Sequence, residues 1–204
     1  VGIAFKFGAA PFHMWLPDVY QGAPTAVTLL IAAAPKLAAF GMFYRLLETG
    51  VGGTDIYWGD MVAYLAAISL VIGNLVALVQ TNLKRLLAYS TISHVGFLFM
   101  GLVSADNTGY GASMFYAISY SLMTAAAFAA IITLSRKGFE AEEVSDFRGL
   151  WQHNPFHALM VLFVMASLAG VPPFLGFWAK LEVIKASVVS GYTWLAILSV
   201  VTAV

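Results

Sequence analysis

The sequence contains no cysteine and few charged residues. Its 204 residues include 10 Lys or Arg and 10 Asp or Glu, so the net charge is zero. The absence of cysteine excludes disulfides, thiolate metal sites and iron–sulfur ligation by this chain. No G-x-G-x-x-G motif and no P-loop is present, so we expect no flavin, nucleotide or metal site. The balanced charge gives no reason to expect a nucleic-acid partner.

Apolar residues dominate what is there. They make up 61% of the chain, and charged residues make up 10%, whereas a soluble domain is about a quarter charged. This composition is typical of a protein embedded in a lipid bilayer. A hydrocarbon core of about 30 Å needs about 20 apolar residues per helix. That length predicts six or seven spans, at residues 1–16, 25–47, 60–80, 86–104, 110–134, 156–189 with an interruption, and 192–204.

The predicted fold class is all-α, a polytopic transmembrane helix bundle. The chain starts and stops inside apolar stretches, so we interpret it as a segment of a longer protein. Successive spans alternate in direction, which divides the connectors into two sets. One set carries most of the Lys and Arg residues that lie in connectors, so the positive-inside rule makes this set cytoplasmic. The long polar connector at residues 135–155 belongs to this set, and its charges are expected to be solvated or to contact neighbouring subunits.

Lys36 and Lys180 lie well inside the predicted spans, and Lys6 lies inside the first span, whose start is not seen. Lys36 lies about eleven residues, or about 16 Å, into its helix, close to the middle of the bilayer. A charge at that depth costs about 2.5–3.5 kcal/mol. Because burial disfavours the ammonium form, a buried lysine can take up and release a proton. The alternatives are snorkelling, which suits Lys185 near a helix end, and ion pairs that only hold helices together.

Histidine 94 lies at a similar depth, in the polar stretch "STISHVGF" that also contains Ser90, Thr91 and Ser93. A lone histidine there could be a structural hydrogen-bonding residue. Next to lysines at comparable depth, it is a candidate member of a proton relay along a hydrated path. The other three histidines adjoin prolines near predicted helix ends and are expected to be interfacial or capping residues: His13, His153 and His157.

Two apolar stretches carry the same interruption. "GAAPFHMW" starts at Gly8 and "GVPPFLGFW" at Gly170, and a lysine lies close to each. A proline inside a span removes a backbone donor, and such breaks persist in membranes only where protein or water satisfies the freed carbonyls. Paired broken helices are typical of inverted repeats that have a transport site at their interface. We therefore predict two broken helices in an inverted repeat.

The run "AFKFGAAPFHMWLPDVYQGAPTAVTLLIAAAPKLAAFGMFYR" and the later "GNLVALVQTNLKRLLAYSTISHVGF" resemble the antiporter-like membrane subunits of proton-pumping NADH:quinone oxidoreductase, respiratory complex I. Within that family, "FHMWLPDVYQGAP" is the N-type form. The resemblance covers nearly the whole chain. It implies that residues 1–204 form part of one antiporter-like, proton-translocating domain. This part runs from about the seventh of fourteen helices to the start of the thirteenth.

The resemblance also implies roles for individual residues. Lys6 matches the lysine of the seventh, broken helix, whose glutamate partner on the fifth helix would lie upstream of Val1. Lys36 matches the central lysine of the eighth helix, and Lys180 matches the lysine of the twelfth, broken helix. His94 matches a histidine of the polar stretch that links the half-channels. Pro35 departs from the family pattern, which has a small residue before the central lysine, and we expect it to affect the geometry of that helix.

The family resemblance implies proton translocation without redox chemistry in this chain. NADH, FMN, iron–sulfur clusters and quinone would bind to partner subunits. The expected surroundings are a bacterial inner membrane and neighbouring K- and M-type subunits. Three alternatives remain open at this point. They are an Mrp-type cation/proton antiporter or membrane-bound hydrogenase subunit, the plastid or cyanobacterial relative, and a structural scaffold whose lysines only hold helices together.

Overall fold

The computed structural model describes residues 1–50, 55–135 and 139–203, with only the backbone of residues 55–57. Two cations of the cytoplasmic connector, Arg136 and Lys137, lie outside the described residues. The described part is helical and holds no β-strand beyond one isolated bridge. Its α-helices are α1 (Gly2–Phe7), α2 (Trp15–Gly22), α3 (Thr25–Arg45), α4 (Asp55–Ala77), α5 (Leu83–Leu102), α6 (Asn107–Leu134), α7 (Leu150–His153), α8 (Pro155–Ala169), α9 (Leu175–Val189) and α10 (Thr193–Thr202).

Among the described residues, three stretches are long and apolar enough to cross a membrane: Thr25–Gly50, Trp58–Ala77 and Asn107–Leu134. The first consists of α3 and a π-helical turn at Leu46–Gly50. Helices α8 and α10 are shorter apolar helices. The prediction of an all-helical membrane bundle is confirmed, and the predicted spans agree with the observed helices to within a few residues except at the amino-terminal end.

The amino-terminal span differs from its prediction. Residues 1–16 form two helices, and the predicted connector 17–24 is mostly helical, because α2 continues to Gly22. Pro17 is the third residue of α2, where the backbone N–H is not used by the helix, so proline is tolerated there. Asp18 in the same first turn interacts favourably with the positive end of the helix dipole. Only Ala23 and Pro24 remain as the turn into α3.

Helix α5 lies at the centre of the bundle. It packs against α2, α4, α6, α9 and α10, and all of its residues from Thr91 to Leu102 are buried. Helix α4 approaches it closely, because a Cβ on Gly73 would lie 2.5 Å from the backbone nitrogen of Ser93. Small residues permit this kind of close backbone approach between membrane helices. Side chains on α5 are therefore held away from lipid by the surrounding helices.

The two broken helices run in opposite directions. Helix α2 ends at a turn where the Ala23 carbonyl accepts a hydrogen bond from Lys84, and Lys84 also contacts the connector that precedes α8. The first pair, α1 and α2, therefore runs toward the connector at residues 135–155, and the second pair, α8 and α9, runs away from it. Each first half ends in a left-handed glycine, Gly8 with φ 75° and Gly170 with φ 86°. This arrangement confirms the predicted inverted repeat with two broken helices.

Candidate functional site

Lysine 36 is buried against the first break. Its side chain is 3% exposed, and Nζ donates a hydrogen bond of 2.6 Å to the Phe7 carbonyl. In a continuous helix that carbonyl would accept from the residue four positions on, which is Pro11 and has no N–H. The break therefore creates the acceptor that Lys36 uses. The ammonium also lies 5.7 Å from the centre of the Trp15 ring.

Lysine 180 makes the same kind of contact at the second break. Its Nζ donates a 2.8 Å hydrogen bond to the Ala169 carbonyl, whose helical partner four positions on would be Pro173. The ammonium lies 5.0 Å from the centre of the Phe97 ring. One of the carbonyls that this break frees therefore accepts a hydrogen bond from the lysine itself.

A feature common to Lys36 and Lys180 is the kind of acceptor they use. A backbone carbonyl and an aromatic ring stabilise an ammonium without carrying a full negative charge. Within the ranges that the structure describes, no carboxylate forms an ion pair with either lysine. A lysine held in this way can lose its proton without leaving a buried carboxylate unpaired.

Lysine 6 lies on the exposed side of α1. It lines a groove of about 470 Å³ together with Lys36, and Phe5, Trp15, Ile31 and Pro35 complete the lining. Helix α3 runs through Pro35 without interruption, so this proline does not break the helix that carries Lys36. The structure thus brings two of the predicted relay lysines to one groove.

Histidine 94 is buried at the centre of the bundle. Its Nδ1 lies 2.6 Å from the Tyr116 hydroxyl, and its ring stacks on Tyr120 with ring centres 4.6 Å apart. Tyr120 donates a 2.7 Å hydrogen bond to the Thr91 hydroxyl. The histidine therefore belongs to a buried polar cluster formed by α5 and α6.

A cavity of about 190 Å³ joins His94 to Lys180. Its lining includes three further polar side chains, Asn74, Ser90 and Ser93, and the two titratable groups are close enough for electrostatic repulsion when both are charged. The four predicted site residues therefore fall into two pairs, Lys6 with Lys36 and His94 with Lys180. Ser121 of α6 also donates to the Ala33 carbonyl of α3, which links α6 to the helix of Lys36.

The remaining histidines lie outside these pairs. Asn154 caps α8 by accepting a hydrogen bond from the backbone N–H of His157. His153 is the last residue of α7 and is exposed. His13 lies in the first break with its ring 6.5 Å from that of Tyr89. The positions of His153 and His157 at helix ends agree with the prediction of interfacial or capping residues.

The chain matches a known protein family over its whole length. The profile described as "NADH:quinone oxidoreductase/Mrp antiporter, TM" matches residues 1–204, the whole chain. The chain belongs to this family. A relative in Xanthomonas euvesicatoria pv. vesicatoria, named NADH-quinone oxidoreductase subunit N, is 60% identical over 203 residues, which are 100% of this chain and 42% of the relative. The chain thus spans less than half the length of that relative.

Solved structures of the antiporter family share the fold. A chain of respiratory complex I from Thermus thermophilus with bound aureothin superimposes with a TM-score of 0.84 at 37% identity, over 99% of this chain and 44% of that one. A chain of the Mrp complex from Dietzia gives a TM-score of 0.91 at 28% identity, over 98% of this chain and 37% of that one. The antiporter-like fold predicted from the sequence is therefore confirmed.

Sequence reasoning missed two tyrosines of the antiporter-family site. Tyr116 and Tyr120 are one helical turn apart on α6, and Thr124 follows one turn later. A stripe of hydroxyls at four-residue spacing in an otherwise apolar helix marks one face of that helix. This signal was present in the sequence, but the identity of its partners on α5 depends on the packing of the two helices.

Sequence reasoning also missed how Lys84 is held. Lys84 is 1% exposed and forms ion pairs of 3.2 Å with Glu140 and 2.6 Å with Glu142. Thr25 donates a 2.8 Å hydrogen bond to the Glu140 carboxylate. The prediction that connector charges are solvated or contact neighbouring subunits is incomplete for these two glutamates. Their side chains are partly exposed, at 42% and 29%, and they also bind a buried cation of the same chain.

Proposed function

We propose that this chain is part of the N-type subunit of a proton-translocating NADH:quinone oxidoreductase in a bacterial inner membrane. Its identity of 60% to a protein named as that subunit supports the assignment. The observation that carries the proton-translocating role is the environment of Lys36. This lysine is buried near the middle of a membrane helix and is held by a carbonyl that a proline leaves free.

Lys6, Lys36, His94 and Lys180 carry the proton in this proposal. A carbonyl hydrogen bond stabilises both the ammonium and the neutral amine, so the lysine can change protonation state in place. Repulsion between charged neighbours favours release from one group when the next is protonated. The proton passes through two pairs of groups in this row: Lys6 with Lys36 at the first groove, and His94 with Lys180 at the second cavity.

The chain itself does no redox chemistry in this account. Electron transfer from NADH to quinone, with its FMN and iron–sulfur clusters, takes place in partner subunits, and the K- and M-type subunits are the membrane neighbours. Residues 1–204 form part of one proton-translocating domain, and residues 135–155 are its cytoplasmic connector. The partner of Lys6 is a glutamate on a helix that precedes this segment.

The relatives disfavour one of the alternatives, and the contacts of the lysines disfavour another. The Mrp complex from Dietzia shares the fold at 28% identity, well below the 60% of the relative named subunit N. A purely structural role for the lysines is disfavoured by their contacts. Lysines that only tie helices together are expected to pair with carboxylates, as Lys84 does, and Lys36 and Lys180 use carbonyls instead.

The test is Lys36→Met in the full-length subunit of the assembled complex. Methionine removes the desolvation cost of the charge but leaves the Phe7 carbonyl without a donor, which costs about 1–3 kcal/mol. We expect normal assembly and strong loss of both proton pumping and NADH-driven quinone reduction. NADH oxidation by a water-soluble acceptor that bypasses the membrane arm should persist.

The matched control is Lys185→Met, which removes an exposed lysine paired with Glu182. This variant should pump at the wild-type rate because surface ion pairs contribute about 0–1 kcal/mol. Proton pumping by Lys36→Met at the rate of Lys185→Met would refute the proposed function of Lys36.

A further inference from the structure

A row of buried hydroxyls lies between the cytoplasmic end of the bundle and His94. Tyr20 of α2, Thr91 of α5 and Tyr120 of α6 are at most 4% exposed. The Tyr120 hydroxyl donates to that of Thr91 at 2.7 Å, and α2, which carries Tyr20, packs against α5, which carries Thr91. Three helices thus each contribute one hydroxyl to a continuous polar track through an apolar interior.

Two buried hydroxyls, that of Tyr20 in this track and that of Thr124 beside it, have unused hydrogen-bonding capacity. Neither the Tyr20 hydroxyl nor the Thr124 hydroxyl has a hydrogen-bond partner within the described part of the chain. Leaving a buried polar group unpaired costs about 1–3 kcal/mol. Phenylalanine or valine would fill these positions without that cost. These hydroxyls can therefore accept a hydrogen bond from a water molecule or from a neighbouring hydroxyl.

The track begins below a charged cluster at the end of the bundle. The Ala23 carbonyl, three residues after Tyr20, accepts a hydrogen bond from Lys84, and Lys84 binds Glu140. The Glu140 side chain is 42% exposed. Along α5, Lys84 and Thr91 are seven residues apart, so they lie on the same face of the helix, two turns apart. A charged cluster in contact with solvent therefore lies directly above the hydroxyls.

The track ends at the relay histidine. The ring of Tyr120 stacks on His94, whose Nδ1 lies 2.6 Å from the Tyr116 hydroxyl. On its other side, His94 lines the cavity that contains Lys180. A proton that reaches Tyr120 is therefore next to the group that leads to the second lysine.

We propose that the hydroxyls of Tyr20, Thr91 and Tyr120 form a proton-uptake route from the cytoplasmic end of the bundle to His94. This inference rests on the proposed function and adds a route to it. In the structure the Thr91 hydroxyl donates to the Leu87 carbonyl at 2.8 Å and accepts from Tyr120, so both hydroxyls must first rotate toward the next group in the row. Each oxygen then accepts a proton on a lone pair and passes its own proton to the next oxygen, so no hydroxyl changes its net charge. A hydroxyl rotation or a bridging water closes the gaps from Tyr20 to Thr91 and from Tyr120 to the His94–Tyr116 pair.

The test compares Thr91→Val with Thr91→Ser in the full-length subunit of the assembled complex. Valine keeps the shape of the side chain and removes the hydroxyl, whereas serine keeps the hydroxyl and removes the methyl group. Proton uptake by inside-out vesicles is measured with NADH as the substrate. We expect Thr91→Val to slow uptake about tenfold, since one positioned proton-transfer group contributes at least that much. Thr91→Ser should stay close to the wild-type rate.

Tyr20→Phe and Tyr120→Phe should slow uptake to a similar extent. The controls are Thr133→Val, which removes a hydroxyl bonded only to its own helix, and Tyr192→Phe, which removes a hydroxyl bonded to Asp60 at the other end of the bundle. Both controls should take up protons at the wild-type rate. Equal slowing by Thr91→Val and Thr91→Ser would show a packing effect and overturn the route, as would wild-type uptake by Thr91→Val.

Lys36→Met measured in the same vesicles separates the two proposals. If Lys36→Met abolishes uptake and Thr91→Val does not, the hydroxyl route is wrong and the relay lysine stands. If Lys36→Met takes up protons normally, the proposed function itself fails, and the hydroxyl route fails with it.

Discussion

At the scale of single residues, four lysines of this chain show two kinds of environment. Lys84 and Lys185 pair with carboxylates. Lys36 and Lys180 donate to carbonyls and lie near aromatic rings. These contacts orient the amine but add no negative charge. The difference separates the lysines that hold elements together from the lysines that we propose to carry protons.

Glycine 170 is predicted to position Lys180. A Cβ at this residue would lie 2.9 Å from Cδ of Lys180 and 3.3 Å from its Nζ. Gly170→Ala should therefore displace the lysine from the Ala169 carbonyl and reduce proton pumping severalfold. The matched control is Gly191→Ala, where φ is also positive, at +87°, but the new methyl group meets nothing within 4 Å.

Both glycine variants carry the same kind of backbone strain, about 1 kcal/mol. Any difference between them in proton pumping therefore reports the displacement of Lys180. Equal pumping rates for the two variants, measured at equal amounts of assembled complex, would show that the position of this ammonium does not matter.

At the scale of helices, the breaks supply acceptors for the lysines. Replacing Pro172 and Pro173 by alanine restores two backbone N–H groups, which lets the helix close and occupies the Ala169 carbonyl. We expect normal insertion and assembly of this variant, and a loss of proton pumping of about tenfold, as for other positioned proton-transfer groups. Proton uptake by vesicles checks the prediction.

Pro155→Ala provides the comparison for this helix. Pro155 is the first residue of α8, where a proline takes the place of an N–H that the helix does not use. Its replacement should leave pumping unchanged. Full pumping by the Pro172/Pro173 double variant would contradict the role assigned to the break.

The cytoplasmic connector is held to the bundle by Lys84. Because Lys84 is buried and its carboxylate partners are partly exposed, the two sides of the ion pairs are not equivalent. Glu140→Gln combined with Glu142→Gln leaves a buried cation uncompensated, at a cost of about 3–5 kcal/mol. Lys84→Met leaves two carboxylates that water can solvate and should cost less. Chymotrypsin cleavage of the connector, which contains Phe139 and Phe147, should be faster in the double variant than in Lys84→Met, and the reverse order would contradict this account.

The ion pairs of Lys84 with Glu140 and Glu142 also have a defined pH dependence. The hydrogen bond from Thr25, together with the Lys84 ammonium, lowers the pKa of Glu140. A carboxylate with a lowered pKa adds stability at neutral pH, and that stability is lost as the pH falls through the lowered value. Protection of the connector from chymotrypsin in the wild-type complex should therefore persist on mild acidification and disappear only below the ordinary range of glutamate.

Sequence reasoning reached the helices and the relay lysines because both leave local signals. Apolar length predicts spans, and proline in an apolar run predicts a break. The acceptors of Lys36 and Lys180 follow from the i to i+4 rule once the break is placed, although only the structure shows that Lys36 reaches across to α1. Lys84 and its two glutamate partners are at least 56 positions apart in the chain, and no local pattern encodes such a contact.

At the scale of the whole molecule, this chain matches less than half the length of its relatives. It spans 42% of the relative with 60% identity, and Lys6 faces an open groove that it shares with Lys36. The inverted pair of broken helices lies entirely within the segment, so both carbonyl-bound lysines and the histidine between them are present in one bundle. The central claim, that a buried lysine carries a proton, can therefore be tested with residues of this segment.

The most direct measurement is proton pumping by Lys36→Arg in the assembled complex. Arginine keeps the positive charge and can still donate to the Phe7 carbonyl, but it does not release its proton at any accessible pH. If Lys36 were a structural cation, arginine would replace it. The account predicts normal assembly and loss of pumping, with NADH oxidation by a water-soluble acceptor retained. A Lys36→Arg complex that pumps protons at the wild-type rate would show that a fixed charge is sufficient and would contradict the proton-carrying role of Lys36.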